Sequence, residues 1–349
     1  MRKLKIAQIA PLWFPIPPEK YGGTERIISF LTEELVKRGH DVTLFAPGDS
    51  KTKAKLVPFV KKGVISSGIA WQDYWWNLIN HSIAFERAKE FDIIHSHWII
   101  MGACFQRFVK TPVVHTMHNI PDKTHLRWEV LNYYKNDLNP VFISESEKNN
   151  SPVKFKNSWV VYNGVDLKPF EFNPKPKNHF IWIARICQAK GTKEAIQIAK
   201  KAGVKLLLAG QLQPHHQEYF EKEIKPELNS NIQYIGEISE KELSNFYGQG
   251  KVCLYPINWE EPFGLVMAES MACGTPVIVF DRGSAKEVVK DGKTGFIVNT
   301  VDEAVEAVKK IGQIDRNECR KRVEDNFSIK KMVDGYEKVY YDILKRRKK

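Results

Sequence analysis

Twice along this chain, short apolar runs alternate with amphipathic helical patterns, and a proline-rich stretch separates the two series. Residues 4–10 read as a strand, 25–38 as a helix and 41–46 as a strand, which is a βαβ opening. In that helix Ile27, Ile28, Leu31, Leu35 and Val36 recur at three- and four-residue spacing, and Arg38-Gly39-His40 supplies a basic last turn with glycine at the stop. Its apolar face suits packing on a parallel sheet. Further short strands are expected at 93–94, 113–114, 141–143 and 160–161. Beyond the unperiodic, proline-rich residues 168–177 the alternation restarts, with strands at 180–184, 205–209, 232–235, 252–255, 277–280 and 296–298 and helices between them.

The expected fold is therefore α/β, with two Rossmann-like doubly wound domains facing each other across a cleft. The domains are expected at residues 1–168 and 179–329, joined by an extended linker at 169–178. A last helix over 330–349, patterned by Met332, Tyr336, Val339, Tyr340 and Leu344, is expected to pack back on the first domain. A chain of 349 residues has the length for two cores.

Composition narrows the class. No apolar run approaches the roughly 18 residues of a membrane span. The start is basic, but Gln8 and the prolines Pro11, Pro15 and Pro17 come too soon for a signal peptide, so a cytoplasmic protein is expected. Five dispersed cysteines form neither a CxxC pair nor a metal-spaced cluster, which points to reduced thiols. A net charge of +12 suits anionic ligands or peripheral contact with the acidic inner face of a membrane, while for the tail at 345–349 itself a solvated, frayed end is the preferred reading. No helix-turn-helix, zinc or RNA-recognition signature directs that charge to nucleic acid.

The richest stretch runs from Glu260-Glu261-Pro262-Phe263-Gly264-Leu265 to Glu269. Pro262 and Gly264 lie at a helix entry, where the backbone N–H groups of Phe263, Gly264 and Leu265 can receive an anion such as a diphosphate. Glu261 and Glu269 stand eight residues apart. Carboxylates accept strong hydrogen bonds from paired sugar hydroxyls, and a nucleotide sugar is long enough to reach both. Taken alone, two acids at this spacing favour an ordinary helix opening with a surface Glu further along.

This stretch, with the flanking SMACGTPVI and Asp291-Gly292-Lys293-Thr294-Gly295-Phe296, resembles the Glu-x7-Glu motif region of retaining glycosyltransferases of family four, which have the GT-B fold. Tyr21-Gly22-Gly23-Thr24-Glu25-Arg26, Asp92-Ile93-Ile94-His95-Ser96-His97 and Asn163-Gly164-Val165-Asp166 extend the resemblance over nearly the whole chain, and the long opening is similar to the avilamycin-type subgroup. The resemblance implies that Glu261 contacts the donor sugar and Glu269 the ribose. It also implies that Gly22 and Gly23 border the donor diphosphate, that Arg185 and Lys190 neutralise it, that His118 meets the donor sugar near the reacting centre, and that the backbone at Ile238 meets the nucleobase.

Several of these residues also carry a reading of their own. Gly22-Gly23 lets backbone approach a ligand or simply makes a tight turn. Arg185 and Lys190 follow a strand, and a guanidinium fork with an ammonium can neutralise a leaving diphosphate without a metal, although both are also ordinary loop cations. No Asp-x-Asp pair is present, and His95, His97, His115 and His118 lack a nearby acid or Cys cluster, so separate roles and no essential metal or other cofactor are expected. Trp71, Tyr74, Trp75 and Trp76 suit either sugar stacking or an ordinary core, and core is the reading preferred here.

The expected function is retaining transfer of a hexosyl group from a nucleotide diphosphate sugar, of UDP-glucose or GDP-mannose type, to an acceptor hydroxyl. A GT-B phosphorylase or epimerase, or a non-catalytic sugar-nucleotide-binding protein, remains as the alternative. Domain closure over the donor is expected.

Overall fold

The computed structural model describes residues 2–19, 22–65, 67–69, 73–119 and 127–347. The chain divides into two compact units, Met1–Gly164 with Ile329–Lys349, and Val165–Ser328.

The first unit is built on β1 (Lys5–Ile9), β2 (Asp41–Phe45), β3 (Lys55–Val57), β4 (Ile93–Ser96), β5 (Val113–Met117), β6 (Pro140–Phe142) and β7 (Trp159–Val160). They form one seven-stranded parallel sheet in the order β3-β2-β1-β4-β5-β6-β7, so the strand order reverses between β1 and β4. The helix Gly23–Lys37 matches its expected place, whereas β3 has no counterpart among the expected strands. With three residues at a sheet edge, β3 is too short for its period to show in sequence.

Along β1 the side chains alternate. Ala7 and Ile9 join Ala84 and Phe85 of the helix Trp75–Glu86 in an apolar cluster. Gln8 bonds instead to Tyr340, on the buried face of the terminal helix Ile329–Arg346. That helix is thus part of the first unit, and Arg346 in its last turn pairs with Asp342 at 2.9 Å. Lys348 and Lys349 of the basic tail lie outside the described residues.

The second unit holds β8 (Phe180–Ile183), β9 (Leu206–Ala209), β10 (Ile232–Tyr234), β11 (Val252–Tyr255), β12 (Val277–Phe280) and β13 (Gly295–Val298). They form a six-stranded parallel sheet in the order β10-β9-β8-β11-β12-β13, which reverses between β8 and β11. The stretch expected as a linker at 169–178 lies within this unit. Asn173 N–H donates to Cys273 O at 3.1 Å and Lys177 N–H to Gln249 O at 2.8 Å, while the Arg316 guanidinium donates to Asn173 O at 2.7 Å. Proline leaves a segment without helical or strand periodicity, yet its remaining backbone groups still find partners. The units therefore divide at 164/165 and 328/329. Among the described residues no helix is long and apolar enough to cross a membrane.

Candidate functional site

In an open parallel sheet the loops on either side of the order reversal splay apart and leave a crevice at the strand carboxyl ends. In the second unit those loops follow β8 and β11. The first carries Arg185 and Lys190, and the second leads through Glu261 to the helix Leu265–Ala272. They are tied together, Asn258 N–H donating to Ala189 O at 2.9 Å. Gly191, at φ +69°, packs so tightly on the second loop that an added Cβ would stand 1.8 Å from Pro256 O.

The centre of this arrangement is Glu261. Its Oε2 accepts from Lys190 Nζ at 2.7 Å, Tyr255 OH at 2.7 Å and Trp259 Nε1 at 2.9 Å. The Lys190 ammonium also stands 4.5 Å from the Trp259 ring centroid, a cation–π contact. Burial, then the Glu261 charge, hold the Tyr255 hydroxyl well above the usual phenol range, so it remains a donor. The Glu261 backbone is fixed from behind, since Ser284 N–H donates to Glu261 O at 2.9 Å and the Ser284 hydroxyl to Phe263 O at 2.7 Å.

The helix after Glu261 starts as an anion site requires. Gly264, at φ +76°, is its N-cap residue and no side chain caps it. Among the described residues no acceptor meets the backbone N–H of Gly264 or Leu265. Phe263 is buried edge-on against Phe327, their ring centroids 5.5 Å apart, so its ring is a core anchor. Glu269 is 7% exposed and accepts from Tyr247 OH at 2.8 Å. Arg185 reaches Gln213 Oε1 at 3.4 Å. Ile238 follows β10, two strands from β8, and is half-buried.

In the first unit the reversal between β1 and β4 brings a different set together. Gly22 caps the helix Gly23–Lys37 at φ +145°, and an added Cβ would meet Pro18 Cβ at 2.8 Å, so only glycine fits. Glu25, in the helix's first turn, is buried, and desolvation pushes its carboxyl up to about 7. His97 follows β4 and His118 follows β5. The two residues are in contact: His97 Nδ1 and His118 Nε2 are 3.1 Å apart and the rings stack with centroids at 5.3 Å. The spacing of two histidines on different strands carries no signal of contact.

Behind them runs a buried polar chain. His97 Nε2 meets Gln8 Oε1 at 2.7 Å, Gln8 Nε2 donates to Tyr340 OH at 3.2 Å, and Tyr340 OH meets His95 Nδ1 at 2.7 Å. His95 Nε2 meets Thr116 Oγ1 at 2.7 Å, which meets Tyr336 OH at 2.9 Å. Burial keeps these rings neutral: His118 is pushed down to about 4, and His95 and His97 lie well below the usual range. His115, on β5, bonds Gln106 Oε1 at 3.1 Å.

Of the aromatic group read as core, Tyr74 and Trp75 are exposed. Trp75 is 71% exposed. The helix it begins buries Asn77, Asn80, His81 and Ala84, and Trp75 with Ile79 falls on the opposite face. Tyr74 packs edge-on against Trp98 with centroids at 5.4 Å, and Trp76 Nε1 donates to Asp73. Trp71 lies outside the described residues. Tyr255, Trp259, Tyr247 and Gln8 went unread in the sequence. Trp259, two residues before Glu261, carried a signal, but the others sit inside apolar strand or helix patterns that conceal a polar function.

Residues 166–327 match the model of glycosyl transferases group 1, and residues 21–169 that of Glycosyltransferase Family 4. A curated relative, an uncharacterized 41.2 kDa protein of the cps region of Klebsiella pneumoniae, is 30% identical over 52% of this chain, and the match spans about half (54%) of that relative's length. Sucrose-phosphate synthase from Thermosynechococcus elongatus superposes with a TM-score of 0.80 at 19% identity, covering 99% of this chain and 100% of that one. AviGT4, a glycosyltransferase involved in avilamycin A biosynthesis, superposes at 0.73 with 19% identity and 98% of each chain covered. HepE of Anabaena, in complex with UDP and glucose, superposes at 0.73 with 17% identity, covering 97% of this chain and 100% of that one.

Proposed function

Because the chain belongs to the GT-B glycosyltransferases, with a family 4 first half and a group 1 second half, we propose that it moves a hexosyl group from a nucleotide diphosphate sugar to an acceptor hydroxyl with retention and without a metal. The observation that carries this reading is the Lys190–Glu261 pair, held by Tyr255 and Trp259 where the second sheet reverses its order.

Two kinds of group meet there. Glu261 and Glu269 are buried acceptors suited to sugar and ribose hydroxyls. Arg185, Lys190 and the N–H groups at Gly264 and Leu265 are donors suited to the diphosphate. When the bond from the anomeric carbon to the β-phosphate oxygen breaks, negative charge grows on that oxygen, and preorganised cations beside it lower the barrier. The acceptor oxygen bonds to the same carbon on the same face, and its proton passes to the departing phosphate. No side chain then needs to be a strong base. His118, neutral by virtue of its burial, is assigned to a donor-sugar hydroxyl as a hydrogen-bond partner rather than a cation.

HepE was solved with UDP-glucose, which makes UDP-hexoses the first donors to test. Ligand-observed NMR binding and hydrolysis across UDP-, GDP- and ADP-sugars, with and without EDTA, is the experiment. Binding of one donor in EDTA, weakened roughly tenfold or more by Glu269→Ala, supports the proposal. Binding of none would redirect the search to sugar phosphates and a phosphorylase.

A further inference from the structure

We infer that Gln8 is a positioning residue: its side-chain amide, read through His97, fixes His118 as the tautomer protonated on Nε2, so that His118 presents Nδ1 as a hydrogen-bond acceptor. This deepens the proposed function, since it rests on His118 meeting the donor sugar.

Gln8 is fully buried on β1, with its carbonyl 2.7 Å from His97 Nε2 and its NH₂ 3.2 Å from Tyr340 OH. A carbonyl oxygen only accepts, so His97 must carry its proton on Nε2. A neutral imidazole has one N–H, so His97 Nδ1 is bare and accepts across its 3.1 Å contact with His118 Nε2. His118 therefore spends its single proton on His97, and Nδ1 keeps a lone pair.

The other branch follows from the same amide orientation. Tyr340 accepts from the Gln8 amide, which leaves its own hydrogen for His95 Nδ1 at 2.7 Å. His95 is then protonated on Nε2 and donates to Thr116 Oγ1 at 2.7 Å, and the Thr116 hydrogen turns to Tyr336 OH at 2.9 Å. Every group from His118 to Tyr336 is satisfied in one direction. Rotating the Gln8 amide by half a turn would reverse every bond in the chain and make His118 a donor through Nδ1. One buried amide thus decides whether the histidine gives or takes a hydrogen bond, with no change of charge.

The test is long-range ¹H–¹⁵N NMR of histidine-labelled, full-length protein in the absence of substrate. We expect His118 as a single Nε2-protonated tautomer in the wild type. Gln8→Glu keeps an acceptor opposite His97 and should retain that tautomer. Gln8→Met removes it, and His118 should then show both tautomers, with kcat for the best donor lowered roughly tenfold and donor KM changed less. A wild-type His118 protonated on Nδ1, or one whose tautomer is unmoved in Gln8→Met, overturns the inference. Should Gln8→Met fail to fold, a wild-type His118 protonated on Nδ1, or loss of the Nε2 tautomer in Gln8→Glu, still overturns the inference. A tautomer set by Gln8 in a protein that turns over no nucleotide sugar would sink the proposed function and leave this inference standing.

Discussion

The Lys190 ammonium lies 2.7 Å from Glu261 Oε2, and both side chains are about one-tenth exposed (13% and 11%). The cation assigned to the diphosphate is thus already paired with the carboxylate assigned to the sugar. Donor binding places a phosphate within reach of one and a hydroxyl within reach of the other, and each tempers the desolvation of its partner meanwhile.

Lys190→Met should therefore cost both stability and turnover. It leaves Glu261 buried without its counter-charge, which destabilises by about 3 kcal/mol. Adding Glu261→Gln should recover most of that stability in urea titrations and none of the activity. Full activity in Lys190→Met would defeat the phosphate assignment.

Gly283→Ala should act on Glu261 from behind. Gly283 is at φ +54°, and an added Cβ would stand 2.2 Å from Glu261 O. A loss of about 2 kcal/mol or more and a weakened donor are expected. Gly292→Ala is the control, because Gly292 has a similar φ of +68° with nothing within 4 Å of the added carbon. It should show the backbone cost alone, about 1 kcal/mol, and unchanged donor affinity.

Stability should fall on acidification below about pH 6.5, where two opposing effects compete. The folded-state pKa values of His81, His115 and His118 are lowered by burial to about 4, 3 and 4, so the unfolded chain binds the extra protons. The stability they contribute is full above pH 6.5 and is lost as pH falls toward 4. Glu25 has the opposite sign. Its carboxyl is raised to about 7 from 4.5, so its contribution is present below pH 4.5 and is lost as pH rises through 7. Three histidines outweigh one glutamate, at about 1.4 kcal/mol per proton per pH unit. Thermal melts from pH 4 to 8 should show Tm rising to near neutrality, and Glu25→Gln should raise Tm at pH 8 and change it little at pH 4. A Tm that climbs as the pH drops from 6.5 to 5 would contradict the buried, neutral histidine set.

Trp75→Ala should leave stability within about 0.5 kcal/mol, because the indole is 71% exposed. If this face stacks on the acceptor, the acceptor KM rises in the variant. An unchanged KM removes Trp75 from the acceptor platform.

The periodicity of apolar residues was enough to read two parallel α/β units, because strand and helix burial repeat at fixed intervals and survive in one dimension. The helix start at Gly264 and the charges of Arg185, Lys190, Glu261 and Glu269 were legible for a related reason, since a strand-loop-helix unit carries its ligand groups close together in sequence. Tertiary structure alone decided which of them touch. Tyr255 lies within an apolar strand and Tyr247 within a helix, yet their hydroxyls meet Glu261 and Glu269 only after β11 and the helix Glu240–Gln249 have packed. The same holds for Gln8, His97 and His118, which come from three segments 89 and 21 residues apart. Sheet order, a long-range property set by how whole strands pair, places β1, β4 and β5 side by side, and hydrogen bonds between side chains on neighbouring strands leave no pattern along the chain.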